Sequence, residues 1–173
     1  MVVREDKRER IIENAMNIFA EKGYHKTTTA MVAKASGVTQ PYVFHFFSNK
    51  EELFKVVIDR AFSRIYDTFS EVDAPSDQLI PTMGRAFFEI MQTNRDEVLM
   101  VMQAYTISDE GIREHVRKMY NKIFESLTLK MDLAEIPNPK ESAADFIGTG
   151  LLITLAEVLD MPELLEAKNK TDC

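Results

Sequence analysis

The sequence has little of what stabilises small secreted proteins. Its 173 residues include one cysteine, Cys173, and no tryptophan. A single cysteine cannot form an internal disulfide, so the chain is not a disulfide-stabilised extracellular domain, and its composition agrees with a reducing cytoplasm. We interpret the Cys173 thiol as an incidental exposed group.

Patterns that mark catalytic or metal sites are also missing. The three histidines, His25, His45 and His115, stand far apart and lack metal-ligand spacing. The chain has no glycine-rich phosphate loop and no nucleophile elbow, and its carboxylates are spread over predicted solvent faces. We therefore expect no enzyme, no catalytic residue, no metal and no cofactor.

Long apolar runs are absent as well. No 18 consecutive residues are apolar, and the charged N-terminus lacks the apolar core of a signal peptide. These two absences predict a cytoplasmic protein with no membrane partner.

The charge is unevenly distributed. Residues 1–50 carry eight Lys and Arg against five Asp and Glu, a balance of +3, whereas residues 51–173 carry thirteen against twenty-three, a balance of −10. Attraction to phosphates should therefore act through the N-terminal part, and the acidic remainder should face away from any nucleic acid.

What is present is helical periodicity. Without strand-length alternation or hairpin signals, the fold class is predicted to be all-α. A capping box is expected at Ser48–Glu51, Pro81 is expected in the first turn of its helix, and the helix from Asp96 is expected to be buried. Predicted helices cover, approximately, residues 3–22, 39–47, 49–72, 77–93, 96–107 and 140–161. One more lies between a cap at Thr27 or Thr28 and the turn at Gly37, and another is capped by residues 108–111 and runs to about Met131.

The segment from Thr27 to Phe47 has the pattern of a helix-turn-helix. Thr27 or Thr28 can cap the first helix, and Gly37 can take the left-handed conformation that ends it. Thr39 can cap the second helix. Pro41 falls in the first turn of that helix, where backbone N–H groups have no intrahelical partner, so its missing N–H removes no hydrogen bond. The second helix of such a motif can lie in a DNA major groove.

These residues resemble a known family. Gly23-Tyr24, the three threonines at 27–29, Gly37-Val38-Thr39, Phe44–Phe47 and Asn49–Leu53 are similar in type and spacing to the N-terminal domain of TetR-family transcriptional regulators. The resemblance covers roughly the first 60 residues. It implies a three-helix DNA-binding domain over residues 1–48 and a helical effector-binding and dimerisation domain over residues 49–173, with residues 49–72 as the linking helix.

Candidate DNA contacts lie on and around the second helix of the motif. Gln40 could read an adenine edge, and Tyr42 a base edge, a thymine methyl or a phosphate. Lys50 matches a family position that contacts the DNA backbone. The chain departs from the family at two positions, because the family usually has Tyr at the position of Phe44 and Gly at the position of Pro41. Thr39 is expected to act more as a cap than as a base reader. The full candidate set is Thr28, Thr39, Gln40, Pro41, Tyr42, Phe44, His45 and Lys50.

Candidate effector contacts are flexible or aromatic side chains of the remaining helices. Any one of them could equally be ordinary core, but the resemblance implies a small molecule, and methionine and aromatic side chains suit an apolar or aromatic one. The candidates are Phe62, Tyr66, Phe69, Met83, Phe87, Met91, Met102 and Tyr105. Possible polar selectors are Glu89, Gln92, Gln103 and, again, Tyr105.

Candidate dimer contacts lie on the last two long helices. Glycine inside a helix costs about 1 kcal/mol relative to alanine. Close approach of a partner helix would explain Gly148 and Gly150 in the last predicted helix. By the resemblance, these helices form a four-helix bundle with their symmetry mates, although an internal core helix would show the same apolar pattern. The candidates are Met119, Ile123, Phe146, Gly148, Gly150, Leu151 and Leu155.

The sequence thus predicts a homodimeric, ligand-responsive repressor that binds double-stranded, near-palindromic operator DNA. Two alternatives stay open: a helix-turn-helix regulator without a small-molecule effector, and an all-α protein-interaction module whose motif is only structural.

Overall fold

The computed structural model describes the backbone of residues 2–165 and the side chains of residues 6–165. That part of the chain contains helices and no strand, which confirms the all-α prediction. The helices are α1 Val2–Lys26, α2 Thr29–Ala35, α3 Gln40–Phe44, α4 Lys50–Ser70, α5 Ser76–Thr93, α6 Arg95–Ala104, α7 Glu110–Leu133 and α8 Pro139–Leu159. The predicted role of Cys173 lies outside the described residues.

The chain divides into two compact units. The first combines the chain up to Arg64 with Asn94–Met119, and the second combines Ile65–Thr93 with the chain from Tyr120 onward. This division describes compactness and does not test a functional boundary, so the boundary between residues 48 and 49 stays a prediction.

The first unit is built on the apolar stripe of α1. Ile11, Ile12 and Phe19 are fully buried, and burial of side chains of this size stabilises the fold by about 1.5–3 kcal/mol each. The Phe19 ring meets Phe54 of α4 edge-on at 4.8 Å between centroids. As predicted, the regular part of α1 ends at Gly23, whose φ of 75° and ψ of 166° are not helical.

An aromatic cluster centres the second unit. The Phe69 ring lies 5.1 Å from Phe146, edge to face, and 6.0 Å from Phe87. Met83 and Met131 are completely buried in the same unit. α4, α5, α7 and α8 therefore all supply side chains to this core.

The predicted cap of α4 and the predicted position of Pro81 within α5 are wrong. The cap of α4 is shifted by one residue, because Asn49 Oδ1 accepts from the Glu52 N–H at 2.8 Å and the Glu52 carboxylate, not that of Glu51, accepts from the Ser48 N–H at 2.6 Å. Helix α5 begins at Ser76, which places Pro81 in the second turn, where it removes one backbone hydrogen bond.

Candidate nucleic-acid interface

The turn between α2 and α3 is fixed by local backbone bonding. Gly37 has φ +64°, the left-handed conformation predicted for it. Its N–H donates to the Lys34 carbonyl at 3.2 Å, and the Val38 N–H donates to the Ala33 carbonyl at 3.0 Å. This paired arrangement is a Schellman motif, which ends a helix and turns the chain sharply.

The beginning of α2 is capped as expected. The Thr28 hydroxyl accepts a hydrogen bond from the Met31 N–H at 3.2 Å. Thr27 is buried instead, and its hydroxyl donates to the Gly23 carbonyl at 2.9 Å. Thr28 is therefore the cap, and Thr27 ties the end of α1 to the start of the motif.

Helix α3 is anchored on one side and exposed on the other. Val43 of α3 and Phe47, three residues beyond its end, are 0% and 1% exposed and form the anchor, as expected. Thr39, Gln40, Pro41, Phe44 and His45 are exposed, and Tyr42 is half-buried. The candidate DNA contacts of this helix thus share a surface that a ligand can reach.

Two side chains at the start of α3 differ from the prediction. Thr39 stands at the N-cap position, but its side chain makes no capping hydrogen bond, so the expectation that it caps through its hydroxyl is wrong. Gln40 Nε2 donates to the Thr29 hydroxyl at 2.8 Å. One of its two amide hydrogens is engaged, and one hydrogen and the carbonyl oxygen remain for a base edge.

Tyr42 is held by neighbours that the sequence did not indicate. The Lys7 Nζ lies 5.3 Å from the centroid of the Tyr42 ring, and the Phe46 ring meets it edge-on at 5.3 Å. Arg10 of α1 donates a hydrogen bond to the Ser36 carbonyl in the turn. In the sequence, Lys7 and Arg10 look like ordinary solvent-facing cations, and no local pattern indicates these contacts.

Lys50 points back into the first unit. Its Nζ donates to the Tyr24 carbonyl at 3.0 Å and lies 4.2 Å from the centroid of the Tyr24 ring. Glu51 and Glu52 occupy the first turn of α4 and offset its positive end, and hydrogen bonds from Ser48 lower the pKa of Glu52. A phosphate contact at this helix start therefore depends on the Lys50 ammonium, and it stays a prediction.

The effector candidates do not all belong to one compact unit. Phe62, Met102 and Tyr105 belong to the first unit, where Phe62 is buried and Tyr105 is 44% exposed. The other five, Tyr66, Phe69, Met83, Phe87 and Met91, belong to the second unit. All of those except Tyr66 are buried.

Several of these side chains already have partners. Hydrogen bonds with Ser126 and Ser70 lower the pKa of Tyr66, and the Lys122 ammonium lies 4.4 Å from its ring centroid. The Gln103 amide, a predicted selector, donates to the Ala20 carbonyl at 2.8 Å and links α6 to α1. Tyr66 and Gln103 thus serve contacts within their own units.

Two of the open surface cavities that described residues line lie in the second unit. One, of about 720 Å³, lies between the end of α7 and the start of α8 and includes Phe124, Thr128 and Lys140 in its lining. The other, of about 360 Å³, is lined by residues 72–76 and the end of α7. None of the predicted effector residues lines either cavity.

The dimer candidates separate into inward and outward positions. Ile123 is buried and offers little surface to a partner. A Cβ on Gly150 would lie 3.5 Å from the Phe87 ring, whereas one on Gly148 would meet nothing within 4 Å. Leu151 and Leu155 are exposed, and so are Val158 and Leu159 beyond them. Met119 and Phe146 are half-buried. The outward face of α8 therefore runs through Gly148, Leu151 and Leu155.

Helix α8 is also long and apolar enough, by length and composition, to cross a membrane. Its most apolar window has a mean hydropathy of 1.5, with 17% of that window buried. One such helix is weak evidence for a membrane span. An apolar face left this exposed is equally what a protein partner would cover.

Comparison with known proteins agrees with this architecture. Residues 11–57 match the family model for bacterial regulatory proteins of the tetR family. The chain is 27% identical over 130 residues to the uncharacterised HTH-type transcriptional regulator YhgD of Bacillus subtilis, covering 73% of this chain and 68% of that protein. It is 23% identical over 148 residues to the biofilm operon negative transcriptional regulator IcaR of Staphylococcus epidermidis, covering 84% of this chain and 78% of that protein.

A solved structure has the same fold. The crystal structure of AibR in complex with isovaleryl coenzyme A and operator DNA superposes with a TM-score of 0.70 at 18% identity, covering 86% of this chain and 85% of that one. At this identity the similarity concerns the fold alone.

Proposed function

Because this chain belongs to the TetR family of bacterial transcriptional regulators, we propose that it is a homodimeric repressor that reads a near-palindromic operator with α3. The observation that carries this proposal is the exposure of Gln40 beside the anchored Val43 and Phe47. A helix held rigidly on one side and open on the other suits insertion into a major groove. The regulator is expected to act in the cytoplasm, with residues 1–48 as the DNA-binding domain.

The candidate contacts take different roles in this proposal. Gln40 and Tyr42 read base edges, and Pro41 and Phe44 offer apolar contacts to the groove. Thr28, Thr39, His45 and Lys50 contact the phosphate backbone, which positions the protein without reading sequence. Phe44 has no hydroxyl, so a side-chain hydrogen bond to DNA from residues 42–45 must come from Tyr42 or His45.

The exposed apolar face of α8 supports a homodimer. A run of exposed leucines on a helix of a soluble regulator would expose apolar surface to water unless another protein covers it. Pairing α7 and α8 with their symmetry mates would cover that face. Two copies of α3 could then enter successive major grooves, about one helical turn of DNA apart.

A small-molecule effector completes the proposal. The AibR crystal structure contains isovaleryl coenzyme A together with operator DNA, and the aromatic cluster of the second unit supplies apolar surface in this chain. An apolar or aromatic effector that binds one conformation better would shift the population between DNA-competent and incompetent states.

A regulator without such an effector is the second candidate. Met83, Met91 and Phe87 are packed in the core, and they line neither of the two cavities described above. If this core does not open, control would come from protein concentration or from a protein partner.

Selection of bound sequences from a random duplex library by the purified protein tests the DNA-binding role directly. We expect an enriched near-palindrome. Gln40→Ala and Tyr42→Ala should relax base preference, whereas Lys50→Ala should weaken binding to all sequences and reduce the salt slope by about 1.

The matched control is Lys118→Ala, which removes the same charge from an exposed position on α7. It should leave base preference and the salt slope close to the wild-type values. Failure to enrich any sequence would refute the role in DNA reading. Equal loss of specificity in the Gln40, Tyr42 and Lys50 variants would refute the assignment of roles.

A further inference from the structure

Three cationic side chains at the start of α1 contact the helix-turn-helix. The Lys7 Nζ lies 5.3 Å from the Tyr42 ring centroid, and the Arg8 guanidinium carbon lies 5.5 Å from the Phe47 ring centroid. The Arg10 guanidinium donates to the carbonyl of Ser36. The start of α1 therefore contacts the helix-turn-helix at three separate points.

Lys7 differs from Arg8 and Arg10 in the kind of group that it contacts. Phe47 is 1% exposed and belongs to the core, and the Ser36 carbonyl belongs to the turn. Tyr42 is instead a half-buried side chain on the exposed helix α3. Among these three contacts, only that of Lys7 reaches a side chain proposed to read bases.

The surroundings of Tyr42 explain why this contact matters. A cation over the ring and the edge contact with Phe46 at 5.3 Å restrict the ring from two sides. The His45 ring lies at 6.2 Å. Because the phenol oxygen is rigidly attached to the ring, restricting the ring also restricts where the hydroxyl lies.

We propose that Lys7 is a positioning residue that fixes the orientation of Tyr42 and thereby contributes to base preference. This inference rests on the proposed reading role of α3. It differs from a phosphate contact by Lys7, because a phosphate contact strengthens binding to every sequence alike and carries no base preference.

A double-mutant cycle separates the two roles. Lys7→Met removes the charge and keeps an unbranched side chain, Lys7→Arg keeps the cation, and each is combined with Tyr42→Ala. Arg8→Met is the matched control, because it removes the neighbouring charge from a contact with a buried ring. Affinity is measured for the selected operator and for a scrambled duplex at one fixed salt concentration.

The specificity ratio is the affinity for the operator divided by that for the scrambled duplex. Lys7→Met should lower this ratio about two- to fivefold, the range that exposed cation–π contacts support. Lys7→Arg should restore it, and Lys7→Met should change it no further in the Tyr42→Ala background. Arg8→Met should weaken binding to both duplexes by similar factors. Equal losses on both duplexes after Lys7→Met, in both backgrounds, would overturn the inference.

A second measurement does not depend on DNA. In the free protein, Lys7→Met should shift the aromatic proton resonances of Tyr42, assigned with Tyr42→Phe, and Arg8→Met should leave them in place. Unmoved Tyr42 resonances would overturn the inference. A wild-type protein that fails to distinguish the operator from the scrambled duplex would instead refute the proposed function.

Discussion

A methyl group added at Gly148 tests whether the outward face of α8 meets a partner. Nothing lies within 4 Å of a Cβ built at Gly148 or at Gly84 of α5. Inside a helix, replacing glycine by alanine stabilises by about 1 kcal/mol when the space is open. For an isolated protomer, both substitutions should therefore raise the melting temperature by about 2–4 °C.

In the proposed dimer the two positions should differ. A partner helix packed against Gly148 would have to move to admit the methyl group, and such overpacking costs about 1–3 kcal/mol. After the gain of about 1 kcal/mol in helix propensity, Gly148→Ala should leave the dimer unchanged or up to about 2 kcal/mol less stable. Gly84→Ala is the matched control and should stabilise.

The assay is thermal unfolding at two protein concentrations, with sedimentation velocity to follow the oligomer. Dimer stability depends on protein concentration, so the Gly148→Ala deficit should be visible as a larger monomer fraction on dilution. If Gly148→Ala stabilises as much as Gly84→Ala and leaves the sedimentation profile unchanged, close helix pairing at this glycine is refuted.

Two further predictions concern the first unit. Gly37→Ala should destabilise the protein by about 1–2 kcal/mol and lower its melting temperature by roughly 2–8 °C. The reason is that φ at this position is +64° and the new Cβ would lie 3.1 Å from an Arg10 nitrogen. An unchanged melting temperature would contradict this prediction. Burial raises the pKa of Glu97, although Arg64 and Arg60 oppose the shift. The native state therefore binds the Glu97 carboxyl proton more tightly than the unfolded state does. The stability that this proton contributes is lost as the pH rises from about 4.3, the unfolded-state pKa, through the raised pKa of the native state. The stability of Glu97→Gln relative to wild type should therefore increase over that interval in urea unfolding, and a pH-independent difference would refute the assignment.

Features governed by neighbouring residues could be predicted from the sequence. The left-handed Gly37 and the cap at Thr28 depend on residues a few positions away, and apolar residues at helical spacing indicate the anchors Val43 and Phe47. The structure agrees with each. The cap of α4 shows where such rules become ambiguous. Ser48 and Asn49 are both good caps and Glu51 and Glu52 are both glutamates, so the pattern alone did not fix the register.

Features governed by distant residues could not be predicted in this way. Lys50 bonds to Tyr24, 26 positions earlier, and Gln103 bonds to Ala20, 83 positions earlier. Helical periodicity indicates which face of a helix is apolar, but not which polar side chain meets it. The same reasoning applies to α8, where the apolar pattern did not distinguish Gly150, which faces Phe87, from Gly148, which faces outward.

The hydrogen bond between Gln40 and Thr29 constrains how DNA preference can evolve in this protein. Thr29 is 8% exposed, and its hydroxyl accepts from the Gln40 amide at 2.8 Å. Replacing Gln40 alone would remove this part-buried bond, whose net contribution to stability is about 0.5–1.5 kcal/mol. Descendants that acquire a new base preference at position 40 should therefore also change position 29, so these two positions should covary among close homologues that bind different operators.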